Sequence, residues 1–138
     1  MVTEGRTVRV LIVDDDPAVR EALHCILDDE GYDVLEAADG VEALGVLLAS
    51  VEPLVITLDH VMPRLDGPGL LAFVVGDPAL AASCAFVSLT ADSRVIAPDL
   101  ERRLWSLRAP VLRKSVDLDH ILQAVAAAAH RLPAEGSA

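Results

Sequence analysis

Three consecutive aspartates, Asp14, Asp15 and Asp16, follow directly after the apolar run VRVLIV. At a separation of about 4 Å, each pair of like charges costs roughly 4 kcal/mol at the effective dielectric of a protein surface. A further aspartate, Asp59, ends a second apolar run, LVITL. Carboxylate oxygens are hard ligands that suit Mg²⁺, and a divalent cation would offset the repulsion among them. The spacing therefore predicts a magnesium site formed by acids at strand ends.

Short apolar runs rich in β-branched residues predict the strands that position these acids. Such runs are typical of strands buried on both faces of a parallel sheet. The predicted strands cover residues 8–13, 32–37, 54–58, 84–90 and 110–114. Predicted helices, with apolar residues at helical spacing, cover 17–29, 39–50, the end of 63–75, 98–107 and 117–132. Five strands alternating with five helices predict one α/β domain, with a doubly wound parallel sheet covered on both faces.

Helix starts and inward faces follow from the same patterns. Asp16 stands before Pro17, so it is expected to cap the first helix, and Asp39 is expected to cap the second. Apolar residues at helical spacing predict the faces that pack on the sheet. The residues predicted to face inward are Val19, Leu23, Ile26, Leu27, Leu100, Leu104, Leu107, Leu118, Ile121, Leu122 and Val125.

Composition narrows the range of partners. The 138 residues carry a formal net charge of -11, which disfavours direct binding to nucleic acid or to an anionic membrane surface. No apolar stretch reaches membrane-spanning length and no targeting segment is evident, so we expect a cytoplasmic protein. Cys25 and Cys84 form no metal-binding spacing and lie among apolar neighbours, and we expect both to be buried, reduced thiols.

Polar residues follow four of the predicted strands. In an open α/β sheet, ligands bind beside the carboxyl ends of the strands. The first strand ends at Asp14, the third at Asp59, the fourth at Thr90 and the fifth at Lys114. A threonine hydroxyl can donate a hydrogen bond to a phosphoryl oxygen, and a lysine can pair with a carboxylate or a phosphoryl group. The edge of the sheet therefore has the groups of a phosphate-accepting site.

Four motifs carry a family resemblance: LIVDDDPAVR, LDHVMPRLDG, SLTAD and LRK, in this order along the chain. With these motifs the sequence resembles the receiver domain of two-component response regulators, in a single-domain form similar to the chemotaxis regulators. The resemblance covers residues 8–131 and leaves 1–7 and 132–138 as tails. It implies a flavodoxin-like (βα)5 fold with strand order 2-1-3-4-5.

The resemblance also implies the roles of the acids. Asp59 is then the phospho-acceptor, and Asp14 and Asp15 hold Mg²⁺ together with Asp59. The backbone carbonyl of Val61 is implied as a further ligand. Val61 and Asp92 are implied to flank the path of the water that hydrolyses the acyl phosphate, and an apolar Val61 predicts slow hydrolysis.

Thr90, Ala91 and Lys114 are implied to form the switch around the phosphoryl group, with the small Ala91 leaving the acceptor accessible. Three features depart from the family pattern, and one of them is LRAP where the family has a small Gly-Ala pair before the fifth strand. The family has an aromatic residue where this chain has Val111, and a proline where this chain has Ser115 after the lysine. By the resemblance, these departures leave phospho-acceptance possible in principle and bear on the output mechanism, and Val111 and Ser115 keep open the alternative of a degenerate receiver.

The resemblance further implies partners. A histidine kinase or histidine phosphotransfer protein would donate the phosphoryl group in a phosphorelay, to a monomer or weak homodimer. Output would pass to a protein partner or to an output domain missing from the chain, through the fourth predicted helix, the fifth strand and the last helix. Trp105 is a candidate anchor there. Six of the eleven basic residues support this surface, although an ordinary solvated helix face also explains them: Arg94, Arg102, Arg103, Arg108, Arg113 and Lys114.

Two alternatives remain. A degenerate receiver would bind partners without phosphorylation. A phosphatase similar to the haloacid dehalogenases would use Asp14 as nucleophile and Asp16 as acid and base, but Ala18 stands where that family has threonine. The four histidines form no phosphotransfer or metal motif and are expected on the solvated surface: His24, His60, His120 and His130.

Overall fold

The computed structural model describes residues 2–3, 6–59, 64–90, 98–113 and 117–133. Five parallel strands form one sheet with the order β2-β1-β3-β4-β5, as predicted. The strands are β1 (Arg9–Val13), β2 (Asp33–Ala37), β3 (Leu54–Asp59), β4 (Cys84–Thr90) and β5 (Val111–Arg113). Ahead of the sheet, Val2–Thr3 pairs antiparallel with Arg6–Thr7 in a separate two-stranded ladder.

Helices connect the strands and cover both faces of the sheet. They are α1 (Pro17–Asp29), α2 (Gly40–Ala49), α3 (Gly67–Val75), α4 (Pro78–Ser83), α5 (Pro98–Ser106) and α6 (Leu118–Arg131). The prediction of five helices omits α4. Asp77 caps this short helix through the Leu80 amide at 3.2 Å and Pro78 opens it, a start signal that the sequence carries.

The sheet divides the core into two layers. Alternate residues of β1 point to opposite faces: Val10 and Ile12 pack with α1 and α6, whereas Leu11 and Val13 pack with α2 to α5. Phe86 of β4 is the largest fully buried side chain and lies in the second layer. Burying a side chain of this size contributes roughly 1.5–3 kcal/mol. Both faces of the central strands are therefore dry, which explains their continuous apolar runs.

Both predicted caps are confirmed. The Asp16 carboxylate accepts a hydrogen bond from the Ala18 amide at 2.9 Å, and the Asp39 carboxylate accepts one from the Glu42 amide at 2.9 Å. Each bond satisfies an amide that the first turn of a helix leaves without an intrahelical partner. Helices α1 and α2 therefore begin directly after strands β1 and β2 and fix the position of the strand ends.

Two expectations about burial are wrong. Cys25 is exposed, because it lies on the opposite side of α1 from the buried Leu23 and Leu27. Leu118 is 44% exposed, because it is the first residue of α6 and lies ahead of the buried Ile121 and Val125.

The remaining expectations for these helices hold, except that His24 of α1 is half-buried. The other residues predicted to face inward are buried or half-buried, and His120 and His130 are exposed as expected. Cys84 is half-buried, and burial raises the pKa of its thiol to about 11. Within the described residues, no helix is both long and apolar enough to span a membrane.

Candidate functional site

Three acids meet at the carboxyl edge of the sheet. The parallel register pairs Val13 of β1 with Leu58 of β3. The next residues along the chain after these two are Asp14 and Asp59. Neighbouring strands lie about 4.8 Å apart, which brings their side chains together. One carboxylate oxygen from each of Asp14, Asp15 and Asp59 lies within 4.8 Å of the others. The predicted clustering of these acids is confirmed.

The three acids differ in their exposure to solvent. Asp14 is 1% exposed and Asp59 4%, whereas Asp15 is exposed. Burial strengthens the mutual repulsion of the two inner carboxylates, because water screens them poorly. A divalent cation with oxygen ligands fits this set, with two ligands from the interior and one from the rim. The open side at Asp15 leaves room for the waters that Mg²⁺ retains.

Backbone and side-chain hydrogen bonds hold Asp14 in place. Its amide donates to the Ala37 carbonyl at 3.2 Å, and its carboxylate accepts from the Asp16 amide at 2.9 Å. The Arg20 guanidinium donates to the Asp14 carbonyl at 2.7 Å. The loop after β1 is therefore tied to both β2 and α1. Asp16, the acid and base of the alternative phosphatase, serves here as the cap of α1.

A charged network extends from Arg20 away from the acids. The Arg20 Nε donates to Glu36 at 3.2 Å, and the Nδ1 of His24 lies 2.6 Å from the other Glu36 oxygen. Glu36 on β2 therefore orients Arg20 on α1, which in turn supports the Asp14 carbonyl. The sequence analysis assigns no role to Arg20 or Glu36, because their proximity depends on how α1 packs on β2. His24, expected on the solvated surface, is half-buried and paired with Glu36.

A second set of contacts holds the segment that leads from β3 into α3. The Arg64 guanidinium pairs with the Asp39 carboxylate at 2.7 Å, and the Gly40 amide donates to the Leu65 carbonyl at 2.9 Å. A Cβ at Gly40 would lie 2.1 Å from that carbonyl oxygen, so the close approach requires glycine. The hydrogen bond from Arg64 lowers the pKa of Asp39. We call these contacts the α2 latch.

The switch residues are partly within the described structure. Thr90 ends β4, is buried, and stands opposite Arg113 in the register with β5. Val111 stands opposite Ser88 and packs, half-buried, against the α2 to α5 layer. The valine that stands at the aromatic position of the family pattern is therefore part of the packing there. Several residues of the predicted site or its surroundings lie outside the described residues: His60, Val61, Ala91, Asp92, Lys114 and Ser115.

Comparisons with known proteins agree on one family. Residues 10–126 match the family model of the response regulator receiver domain. Response regulator MprA of Mycobacterium bovis (strain BCG / Pasteur 1173P2) is 56% identical over 61 residues, which cover 44% of this chain and 26% of that protein. The match thus spans about a quarter of the length of the curated relative.

Solved structures share the fold over nearly the whole chain. Chemotaxis protein CheY4 of Vibrio cholerae is 26% identical with a TM-score of 0.73, and the match covers 88% of this chain and 98% of that chain. The signal receiver domain of a signal transduction histidine kinase from Syntrophus aciditrophicus is 26% identical with a TM-score of 0.78, over 96% of this chain and 97% of that chain.

Proposed function

The chain belongs to the response regulator receiver domain family of two-component signalling, and on that basis we propose that it accepts a phosphoryl group on Asp59 from a histidine kinase or a histidine phosphotransfer protein. The observation that carries this proposal is the cluster of three carboxylates within 4.8 Å at the carboxyl edge of the sheet. Asp59 is the member of this cluster that ends the central strand β3. Receiver domains of this family are signalling modules and are generally not enzymes.

The proposed reaction is a phosphoryl transfer between two side chains. A carboxylate oxygen of Asp59 attacks the phosphorus of the donor phosphohistidine, so an O–P bond forms while the N–P bond breaks. The electron pair of the N–P bond returns to the imidazole, which takes up a proton from solvent. The product is an acyl phosphate on Asp59. Because such a transfer requires little covalent chemistry from the protein, its rate depends on positioning and on charge.

Asp14, Asp15 and Asp59 are the residues that would hold Mg²⁺, with the backbone carbonyl of Val61 as a further ligand. When bound, the cation neutralises charge on the phosphoryl oxygens. The Arg20 contact at the Asp14 carbonyl keeps the loop of Asp14 and Asp15 in position. Our proposal assigns Asp14 and Asp15 to binding and Asp59 to both binding and attack.

Thr90, Ala91 and Lys114 are proposed to contact or admit the phosphoryl group. Thr90 lies at the carboxyl end of β4, and β4 pairs with β3 at Asp59 and Leu89, which supports its assignment. A threonine hydroxyl that bonds the phosphoryl group would shift the domain between two conformations. With Val111 in place of an aromatic ring, that shift would pass through aliphatic packing.

The output is proposed to be a protein contact rather than binding to nucleic acid. We define the output face as the surface of α5, β5 and α6, with the receiver unit spanning residues 8–131. The proposed partner of the output face is a downstream protein or an output domain. The receiver domain is proposed to be a monomer or a weak homodimer. The exposed Trp105 and the basic residues of α5 support this choice.

Incubation with acetyl phosphate and Mg²⁺, followed by intact mass measurement, tests the acceptor. We expect the parent chain to gain the mass of one phosphoryl group and Asp59→Asn to gain none. The matched control is Asp33→Asn, which removes an aspartate at the opposite edge of the sheet, where it pairs with Arg9. Labelling that survives in Asp59→Asn but disappears in Asp14→Asn would instead favour the phosphatase alternative. No labelling of the parent chain would favour a degenerate receiver.

A further inference from the structure

A buried threonine hydroxyl lies beneath the carboxyl edge of the sheet. Thr57 belongs to β3, two residues before Asp59, and is 1% exposed. Among the residues that the structure describes, the Thr57 Oγ1 has no hydrogen-bond partner. Most buried polar side-chain atoms in proteins do have a partner, because burying a hydroxyl without one costs free energy. Packing alone does not explain why this position carries a hydroxyl.

The surroundings of Thr57 within the sheet are apolar. Side chains alternate along a strand, so Thr57 points to the same face as Val55, into the layer that packs with α1 and α6. In the register of the sheet it stands between Ile12 of β1 and Val87 of β4, and both are fully buried. Valine has nearly the shape of threonine, suits a strand equally well, and would bury no polar atom. The hydroxyl is therefore the part of Thr57 that this layer does not need.

The polar groups that follow on the same face are the two buried carboxylates of the site. Asp59 is the second residue after Thr57 on β3, and Asp14 is the second residue after Ile12 at the end of β1. Two residues along a strand span roughly 6–7 Å, and their side chains point the same way. One water molecule that makes two hydrogen bonds of about 2.8 Å bridges such a gap. The hydroxyl thus lies one step below the carboxylates, on the interior side.

We propose that Thr57 is a positioning residue for Asp59, and that its hydroxyl donates to one buried water, which donates in turn to the Asp59 carboxylate. This role rests on the proposed function of Asp59 and adds a residue that acts through it. The contact holds the carboxylate in the orientation from which it binds Mg²⁺ and attacks phosphorus. Groups that hydrogen-bond a metal-binding carboxylate orient it, and their loss typically weakens metal binding or activity by about tenfold or more.

Burial makes this contact effective. Asp59 is 4% exposed, so bulk water competes weakly for its carboxylate on the interior side. All six residues of the central strand β3 are buried, which restricts the movement of the Thr57 side chain. The hydrogen bond from Arg20 acts on the backbone at Asp14, whereas Thr57 acts on the side chain of the acceptor. The two contacts therefore support different parts of the site.

Thr57→Val removes the hydroxyl and keeps the shape of the side chain. We expect labelling by acetyl phosphate at saturating Mg²⁺, followed as intact mass against time, to slow about tenfold. We also expect a rise of about tenfold in the Mg²⁺ midpoint, the concentration that gives half of the Mg²⁺-dependent rise in Tm. The Mg²⁺ midpoint requires no phosphoryl donor, so it reports on Thr57 independently of phosphorylation.

The same measurements on three proteins separate positioning from folding. Thr57→Ser keeps the hydroxyl and should restore most of both losses. Thr7→Val makes the same change at an exposed residue ahead of β1 and should match the parent chain in both measurements. Without Mg²⁺, the Tm of Thr57→Val should equal or exceed that of the parent chain, because the variant no longer buries a hydroxyl. Slower labelling at an equal or higher Tm excludes unfolding as its cause.

Three results would overturn the positioning role. The first is a labelling rate or a Mg²⁺ midpoint of Thr57→Val equal to that of the parent chain. The second is a Thr57→Ser variant that behaves like Thr57→Val, because the hydroxyl would then not be the active group. The third is a fall in the Tm of Thr57→Val that accompanies its losses, which would assign Thr57 to the stability of the sheet.

Failure of this role is distinguishable from failure of the proposed function. If the parent chain is labelled on Asp59 and Thr57→Val is labelled at the same rate, the positioning role alone fails. If the parent chain takes up no phosphoryl group, phospho-acceptance fails, and the Mg²⁺ midpoints of the parent chain, Thr57→Val and Thr57→Ser decide whether Thr57 positions Asp59.

Discussion

The acidic edge of the sheet and the arginine pair Arg108 and Arg131 on the output face are both clusters of like charge, but they are built differently. Asp14 and Asp59 are adjacent because neighbouring strands end side by side, and hydrogen bonds from backbone and Arg20 hold the Asp14 loop. Arg108 and Arg131 come from a helix end and from another helix, and no described acid pairs with them. The first cluster suits a small, hard cation and a phosphoryl group. Arg108 and Arg131 of the second cluster are exposed, so solvent and salt screen their charges.

The largest expected effect is the stabilisation of the fold by Mg²⁺ bound to the carboxylates of the acidic edge. Mg²⁺ should raise the Tm of the parent chain. When the Mg²⁺ concentration is roughly ten times Kd, binding should increase the free energy of unfolding by about 1.4 kcal/mol. Asp15→Asn should lose most of this rise, because it removes the exposed ligand. Thermal unfolding with increasing Mg²⁺ measures the difference.

The control for this comparison is Asp16→Asn, which removes a neighbouring charge but keeps the cap, since asparagine caps helices as well as aspartate. Its Tm should rise with Mg²⁺ as in the parent chain. If both variants lost the Mg²⁺-dependent rise in Tm equally, Mg²⁺ binding would depend only on the net charge of the acidic edge. The acidic edge would then resemble an ordinary charged surface.

A smaller effect is expected in the lifetime of the acyl phosphate. Val61 offers no hydrogen bond to orient the attacking water, and positioning of a nucleophile contributes several kcal/mol to many reactions. Val61→Asn is expected to hydrolyse several-fold faster, since each ~1.4 kcal/mol changes a rate about tenfold. Decay of the phosphorylated mass after removal of the donor gives both rates.

Val51→Asn is the matched control, because it makes the same valine-to-asparagine change at a residue that is 97% exposed. Its decay rate should equal that of the parent chain. A rate for Val61→Asn that is equal to or slower than the parent rate would contradict the prediction and would leave Asp92 as the residue to test.

The smallest effect concerns the α2 latch. Arg64 lowers the pKa of Asp39 below its ordinary value of 3.8, so the pair stabilises the fold above that pH and the contribution is lost as the pH falls through the lower pKa of the folded state. Arg64→Gln should therefore lower the Tm modestly at neutral pH, and the gap from the parent chain should close in acid. Thermal unfolding measured from pH 7 down to about pH 3 follows this difference.

Asp39→Asn isolates the ion pair from the helix cap, because asparagine also accepts the hydrogen bond of the Glu42 amide. Adding Arg64→Gln to this variant should lower the Tm no further. A further drop in the double variant would show that Arg64 acts through contacts other than Asp39, and a gap that persists in acid would argue against the pKa of Asp39 as its source.

Much of the acidic edge could be predicted from the sequence, because each part depends on a local pattern. Apolar runs identify strands, and Asp59 and Thr90 end two of them. The alternation with helices predicts parallel strands, and parallel strands bring their carboxyl ends to one edge. Asp16 and Asp39 were recognisable as caps because a capping bond spans only two or three residues. No long-range information is needed for any of these steps.

The remaining features depend on which elements are neighbours. Arg20 reaches Asp14 and Glu36 only because α1 packs on β2, and Arg64 reaches Asp39 across 25 positions of sequence. The exposure of Cys25 depends on which side of α1 faces the sheet. The spacing of residues along the sequence does not predict such contacts, because the free energy of packing depends on all the helix and strand surfaces that come together. The sequence by itself therefore determined the acids and the strand ends, whereas only the tertiary structure decided the supports of Asp14 and the α2 latch.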